Sequence, residues 1–147
     1  MALAGDHVVV KLDDSGGTLR TLDAGDVISV DVGQTYDQHD VTGFGQAAHN
    51  IINGQIQAPV TIKGYLTTTA VVGTHTVING AFVNGSQVTL RVGVGNNAAP
   101  VVGTSPEYSG EFRIVSYKPM LETGKAVMFE ALLQPATGTA PAWGTMA

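Results

Sequence analysis

Hydrophobic side chains along this chain recur mostly at every second position, in short runs broken by turn residues. That is the period of a half-buried β-strand rather than of a helix. The clearest run is Ser86 to Val94, where Val88, Leu90, Val92 and Val94 share one face and Thr89, Arg91 and Gly93 the other. Asp26 to Val32 alternates in the same way, with Ile28, Val30 and Val32 opposite Val27, Ser29 and Asp31. After Pro59, which suits a strand start, Val60, Ile62, Gly64 and Leu66 alternate with Thr61, Lys63 and Tyr65. Asp6 to Leu12 meets the turn Asp13 to Gly17 and reverses into Thr18 to Leu22, which predicts a hairpin. A second hairpin is predicted from Glu107 to Lys118 and Lys125 to Gln134, joined around Pro119 to Gly124. In its second strand Val127, Phe129, Ala131 and Leu133 share one face, while Met128 and Leu132 flank Glu130 on the other, implying burial on both sides.

One segment has a helical period. Val71, His75, Ile78 and Phe82 fall at i, i+4, i+7 and i+11, predicting a short amphipathic helix from about Gly73 to Val83 that Asn84-Gly85 closes. Other stretches have no period. Gln34 to Ala58 is rich in Gly, Asn, Gln, His and Asp, with Phe44, Ile51, Ile52 and Ile56 as isolated apolar points, and reads as a long loop. Loops of that length in compact domains are usually functional or disordered, and the apolar points argue against a pure linker. Gly95 to Pro106 reads as a loop of small residues. Pro135 to Ala147 carries the only tryptophan, Trp143, in a tail of Ala, Gly, Thr and Pro that would be disordered if left free.

Valine, glycine and threonine supply 54 of the 147 residues (19, 19 and 16), which fits a β-rich chain. This length suits one domain, able to bury about 68–70% of its unfolded surface without a covalent staple. Absence of cysteine excludes a disulfide framework and thiolate chemistry. The first residues have neither a basic start nor an apolar core of signal-peptide length, and no apolar run approaches a membrane span, so a soluble, unexported chain is expected.

Charge is uneven. Residues 1 to 40 hold eight Asp against Lys11 and Arg20, a balance of −6, whereas residues 41 to 147 hold four Glu against five basic residues, a balance of +1. Seven scattered basic residues do not form the cluster that tight phosphate binding requires.

The chemistry-bearing residues do not converge into a motif. His7, His39, His49 and His75 lack the ligand spacings of a metal site, and Asp37 and Asp40 beside His39 read as solvated loop residues. The pairs Gly43/Gly45 and Gly93/Gly95 lack the third glycine and the strand-to-helix context of a nucleotide fingerprint. Neither a GxSxG elbow nor a Walker lysine is present. The expectation is no enzyme, no metal and no cofactor. Asn84-Gly85-Ser86 matches a glycosylation sequon but reads as the helix stop.

In their order along the chain, three pieces carry a resemblance: Val8 to Gly17, Asp40 to Gly45, and the strand Val60 to Leu66. With the C-terminal hairpin and the closing run Gly138 to Gly144, they resemble the tail tube proteins of long-tailed bacteriophages, related to the tubes of gene transfer agents and of type VI secretion. The resemblance implies a mainly β chain, a β-sandwich or partial barrel with one flanking α-helix, forming a larger β-barrel on ring oligomerisation. It implies hexameric rings stacked into a hollow conduit for DNA, in a virion or phage-like tail made in the host cytoplasm. Tape measure, tail terminator and distal tail proteins are the implied partners, with no membrane among them. Residues 1 to 135 would form the tube domain, including the long loop, and 136 to 147 a C-terminal arm.

Site expectations follow from that resemblance. Phe44, Ile51 and Ile52 become candidates for contact with the adjacent ring, the alternative being cover for the subunit's own core. Trp143 is the candidate anchor of the C-terminal arm. Ser29, Asp31, Thr61, Lys63 and Thr89 are candidates for a lumen whose net acidity would keep DNA from adhering. The physical pattern agrees in one respect: its Val/Thr/Ile strands carry few edge-blunting devices, a hazard that pairing between subunits would remove. Two alternatives stay open: a tail terminator or neck protein that stops at one ring, and a monomeric β-sandwich binding module.

Overall fold

The computed structural model of the chain describes residues 8–22, 25–95 and 98–147. It contains ten strands and one helix among these residues: β1 (Val8–Asp13), β2 (Leu19–Thr21), β3 (Val27–Val32), β4 (Thr35–Asp40), β5 (Ile51–Gln57), β6 (Val60–Tyr65), α1 (Thr74–Asn84), β7 (Val88–Val94), β8 (Pro106–Met120), β9 (Met128–Pro135) and β10 (Ala142–Thr145). The alternating runs therefore form strands where their period placed them. Asp6 and His7 of the expected first strand, Ala24 of the following break, and Asn96 and Asn97 of the small-residue loop lie outside the described residues.

Eight strands make one antiparallel sheet in the order β2-β1-β7-β8-β9-β6-β3, with β10 beside β8. The long β8 joins two layers. Its first half pairs with β7 and β10, its second half with β9, and the ladder shifts between Ile114 and Ser116. A bulge of this kind bends a strand and increases its twist, allowing one strand to serve both layers. The sheet folds far enough for β3 to face β1 and β7, but it does not close.

The core lies inside this fold. Leu12, Leu90, Phe112, Ile62, Phe129 and Leu133 are fully buried in one cluster, each worth about 1.5–3 kcal/mol of apolar transfer. The alternation within each strand explains the selection, because inward positions on β6 (Val60, Ile62) and β9 (Phe129, Ala131, Leu133) are the buried ones.

Helix α1 packs into the same core through Thr74, Val77, Ile78 and Ala81. This face differs from the expected one. Val71 lies before the helix at φ 75°, and both it and Phe82 are substantially exposed. A short helix next to a curved sheet buries whichever face meets the sheet, and its small residues permit the closer approach. The stop is where Asn84-Gly85 predicted it: Gly85 is left-handed at φ 66° and its N–H donates to Ala81 and Phe82 carbonyls. At the other end Thr74 is buried, and its hydroxyl donates to the Tyr65 carbonyl at 2.7 Å while accepting from the Thr67 N–H at 3.0 Å.

The segment read as a structureless loop is instead a two-stranded antiparallel ribbon, β4 with β5. It continues the β3–β6 pair beyond the sheet. Period-2 patterning records one buried face, and this ribbon has both faces largely in solvent, so no alternation was imposed on its sequence. The tail also differs from the expectation for a free segment: Ala142–Thr145 adds a strand to β8, and Met146 is buried.

Candidate assembly surfaces

The β4–β5 arm lies outside the core and is ordered by strand pairing and short-range side-chain contacts. Register pairs Tyr36 with Ile56, His39 with Ile52 and Asp40 with Ile51. At its tip, Asp40 accepts hydrogen bonds from the Thr42 hydroxyl and N–H and contacts His49 Nδ1 at 3.2 Å. The Thr42 hydroxyl, then its N–H, hold the Asp40 carboxyl below the usual carboxylate range. Phe44 projects fully into solvent at 113% relative exposure, and Ile51 and Ile52 are half exposed, as are Tyr36 and Val41. None of the five belongs to the core cluster. Phe44, Ile51 and Ile52 were visible in the sequence as isolated apolar points; Tyr36 and Val41 were missed, although they carried the same signal.

The lumen candidates divide. Register sets Ser29 opposite Lys63 and Asp31 opposite Thr61, so these four share one patch on the outer face of β3 and β6. The patch extends across β9 and β8, where Lys63 faces Glu130 and Glu130 faces Lys118. Its charge is mixed, in contrast to the expected acidity, because antiparallel register places lysines from distant parts of the sequence on either side of a glutamate. Thr89 lies elsewhere, on β7, and its hydroxyl donates to Glu111 at 2.8 Å. Beside it, Arg91 reaches the buried Glu107 at 3.3 Å.

Trp143 docks within its own subunit. Its ring centroid lies 5.3 Å from that of Tyr108, and about half of the residue remains exposed. Pro141 sits directly over Gly110, where a Cβ would meet the proline Cβ at 2.7 Å. Further on, the Met146 N–H donates to Ser105 at 2.8 Å and its carbonyl accepts from Gly103 at 2.7 Å. Gln34, at the root of the arm, donates to the Pro141 carbonyl at 2.6 Å, linking arm and tail. Between them lies a cleft of about 380 Å³ whose lining includes Tyr36 and Ile56 on one side and Pro135 and the run Thr137 to Pro141 on the other.

A larger apolar groove of about 510 Å³ opens between β3 and the β1–β7 pair, lined by seven valines with Ile28, Ser29 and Trp143. Burial pushes the phenols of Tyr108 and Tyr117 above their usual range. Among the described residues no group of three or more His, Asp or Glu could hold a metal ion, and no helix is long and apolar enough to cross a membrane.

Solved structures place this architecture. A chain of the tail of an empty gene transfer agent particle, treated with sixfold symmetry, superposes with a TM-score of 0.69 at 17% identity, covering 99% of this chain and 100% of the other. The SPP1 tail tube superposes with a TM-score of 0.76 at 12% identity, covering 98% and 80%. The chain has the tail-tube fold. A chain of the sheath–tube complex of an extracellular contractile injection system shares it, with a TM-score of 0.67 at 11% identity and coverage of 99% and 93%. No protein-family model matches the sequence, and no curated protein does. At these identities the tail-tube fold is held by its burial pattern and strand order rather than by a shared set of side chains.

Proposed function

We propose that this chain is the structural subunit of a tail tube in a phage or phage-like particle. Six copies form a ring, and rings stack into a hollow conduit through which DNA is delivered. The observation that carries the reading is the arm. It extends a tail-tube fold with a ribbon whose apolar side chains find no core in their own subunit. A two-stranded ribbon is at best marginally stable in water by itself, so a neighbouring surface would complete it.

The sheet supports lateral assembly in the same way. β2 and β3 end the strand order, and each presents an edge that a second chain's strand would pair. A single sandwich encloses no channel wide enough for duplex DNA, whereas a barrel's diameter grows with its strand number. Inter-ring contact falls to Phe44, Ile51 and Ile52, and the C-terminal arm is anchored through Trp143. The patch containing Ser29, Asp31, Thr61 and Lys63 is the lumen candidate; there Glu130 between lysines would limit net attraction for phosphates. Thr89 would line a lumen only if the β7 face turns inward as well. Tape measure, terminator and distal tail proteins would bound the tube, and the subunit's place is the tail of the particle.

Negative-stain electron microscopy across a concentration series tests the proposal. Hollow tubes with sixfold end views are the expected result. Compact particles at every concentration would refute self-assembly, and single rings that never stack would favour a terminator.

A further inference from the structure

Three Asn-Gly steps occur in the chain, Asn53-Gly54, Asn79-Gly80 and Asn84-Gly85. Glycine leaves the backbone nitrogen after an asparagine unhindered and able to swing towards the side-chain amide, the approach in which an asparagine cyclises. The fold restrains two of the three. Asn79-Gly80 lies inside α1, whose hydrogen-bond ladder fixes the backbone of both residues. At Asn84-Gly85 the Gly85 N–H donates to the Ala81 and Phe82 carbonyls at 3.1 and 3.2 Å. The Asn84 side-chain amide donates to Ser86 Oγ at 2.7 Å and to the Ser15 carbonyl at 3.2 Å. Attacking nitrogen and target amide are both held there.

Asn53-Gly54 is restrained only by the ribbon. Asn53 is exposed in β5, and its side-chain amide has no hydrogen-bond partner among the described residues. The irregularity in the β4–β5 ladder, between Tyr36 and Gln38, lies opposite this step. A two-stranded ribbon outside the core opens locally at low cost. Packing nevertheless demands the glycine, because a Cβ at Gly54 would lie 2.6 Å from His39 Nε2 and 3.2 Å from the Asp37 carbonyl oxygen. The contact that shapes the arm thus keeps a reactive pair in the middle of it.

We infer that Asn53 is a modification site that converts to aspartate and isoaspartate without an enzyme. When the ribbon opens, the Gly54 nitrogen loses its proton and attacks the side-chain carbonyl carbon of Asn53; a succinimide closes, and the side-chain nitrogen takes up a proton and leaves as ammonia. Water then opens the ring. Breaking the new C–N bond leaves aspartate, and breaking the original peptide bond leaves isoaspartate, with the chain rerouted through the side chain. Water is consumed and ammonia released, and nothing is oxidised or reduced. Either product adds a carboxylate to the segment Gln34 to Ala58, which already holds Asp37 and Asp40 and neither Lys nor Arg. Isoaspartate also inserts a methylene into β5 between Ile52 and Ile56, disrupting the ladder. A consequence that rests on the tube reading is protection: an arm covered by a neighbouring subunit opens less, so the modification marks subunits left unassembled.

Peptide mapping by mass spectrometry, with isoaspartate-specific methyl labelling, tests the site in the free subunit at neutral pH. The Asn53 peptide should gain the mass of an amide-to-acid exchange at least about tenfold faster than the Asn79 and Asn84 peptides, and in urea the three rates should converge to within about threefold. Equal rates in the folded subunit, or an undiminished lead of Asn53 in urea, would overturn the assignment. In pelleted tubes Asn53 should convert at least about tenfold more slowly than in the free subunit. Equal conversion in tubes would refute the protection and leave the site standing, whereas a chain that forms no tubes would overturn the tube reading alone.

Discussion

Replacing Phe44 and Ile51 with aspartate separates what the arm does for assembly from what it does for folding. Phe44 is fully exposed and Ile51 half exposed in the single subunit. Exposed substitutions away from caps and strained backbone usually change folding stability by no more than about 0.5 kcal/mol. Ile51 pairs directly with Asp40, so its aspartate adds a like-charge neighbour worth a further few tenths of a kcal/mol, and Ile51→Ser is the control for that term. Measured below the assembly threshold, the melting temperature should therefore fall by no more than about 3–5 °C. Assembly should respond differently. Burying a phenylalanine contributes about 1.5–3 kcal/mol, and the exposed half of an isoleucine about 1 kcal/mol, giving roughly 2.5–4 kcal/mol for each arm. At 1.4 kcal/mol per tenfold, the threshold concentration for tubes should rise about 10²- to 10³-fold, before any cost of burying the new carboxylates. Pelleting and electron microscopy against concentration read the threshold, and circular dichroism reads the melt. Normal-length tubes at the wild-type threshold would refute the role of the arm. A melting temperature about 10 °C lower would instead show that these residues support their own subunit.

Three further outcomes follow from the geometry. Gly64→Ala should destabilise the subunit by about 2–4 kcal/mol in urea unfolding, because a Cβ there would lie 2.1 Å from the Asp26 carbonyl oxygen, which accepts the Tyr65 N–H; an unchanged midpoint would contradict that close approach. The Asp14 carboxyl is held below its usual range first by the Arg20 hydrogen bond, then by the Thr18 and Gly16 amides. Its contribution to the β1–β2 turn is therefore complete above the ordinary carboxylate value of about 3.9 and is lost as pH falls through the lower folded value. Titration followed by NMR should show Asp14 below that value and Arg20→Gln moving it upward; an ordinary value in the unsubstituted chain would refute the pairing. Deleting residues 136 to 147 removes the buried Met146 and uncovers Tyr108, so stability should fall by at least about 2 kcal/mol and tube formation should be lost; polymerisation unaffected by the deletion would refute the tail's role.

Most of the sheet was legible in the sequence because its strands bury one face. Val88, Leu90 and Val92 alternate with Thr89 and Arg91 for the same reason that they lie in the core. The helix stop was legible too, since Gly85 supplies the left-handed residue a terminus needs. Patterning could not reveal the arm: Ile51 and Ile52 point to opposite faces of a ribbon with no buried side, so adjacent positions are both apolar. Nor did it reveal the fate of the tail, whose strand depends on Gly110 leaving room for Pro141 and on Tyr108 receiving Trp143.

The sequence by itself determined the β class, the positions of the β1–β2 and β8–β9 hairpins, the helix and its end, and the absence of thiol chemistry, because local alternation, turn residues and composition are properties of neighbouring positions. Tertiary structure decided which strands are neighbours and which faces meet. It set β8 between β7 and β9, aligned Lys63 with Glu130 and Lys118, turned Ser29 and Asp31 towards the same patch as Thr61, and left Thr89 on another part of the sheet. These are relations between residues far apart in the chain. Strand pairing joins backbone groups that every residue carries, so register and strand order are settled by packing the whole core at once rather than by any segment alone.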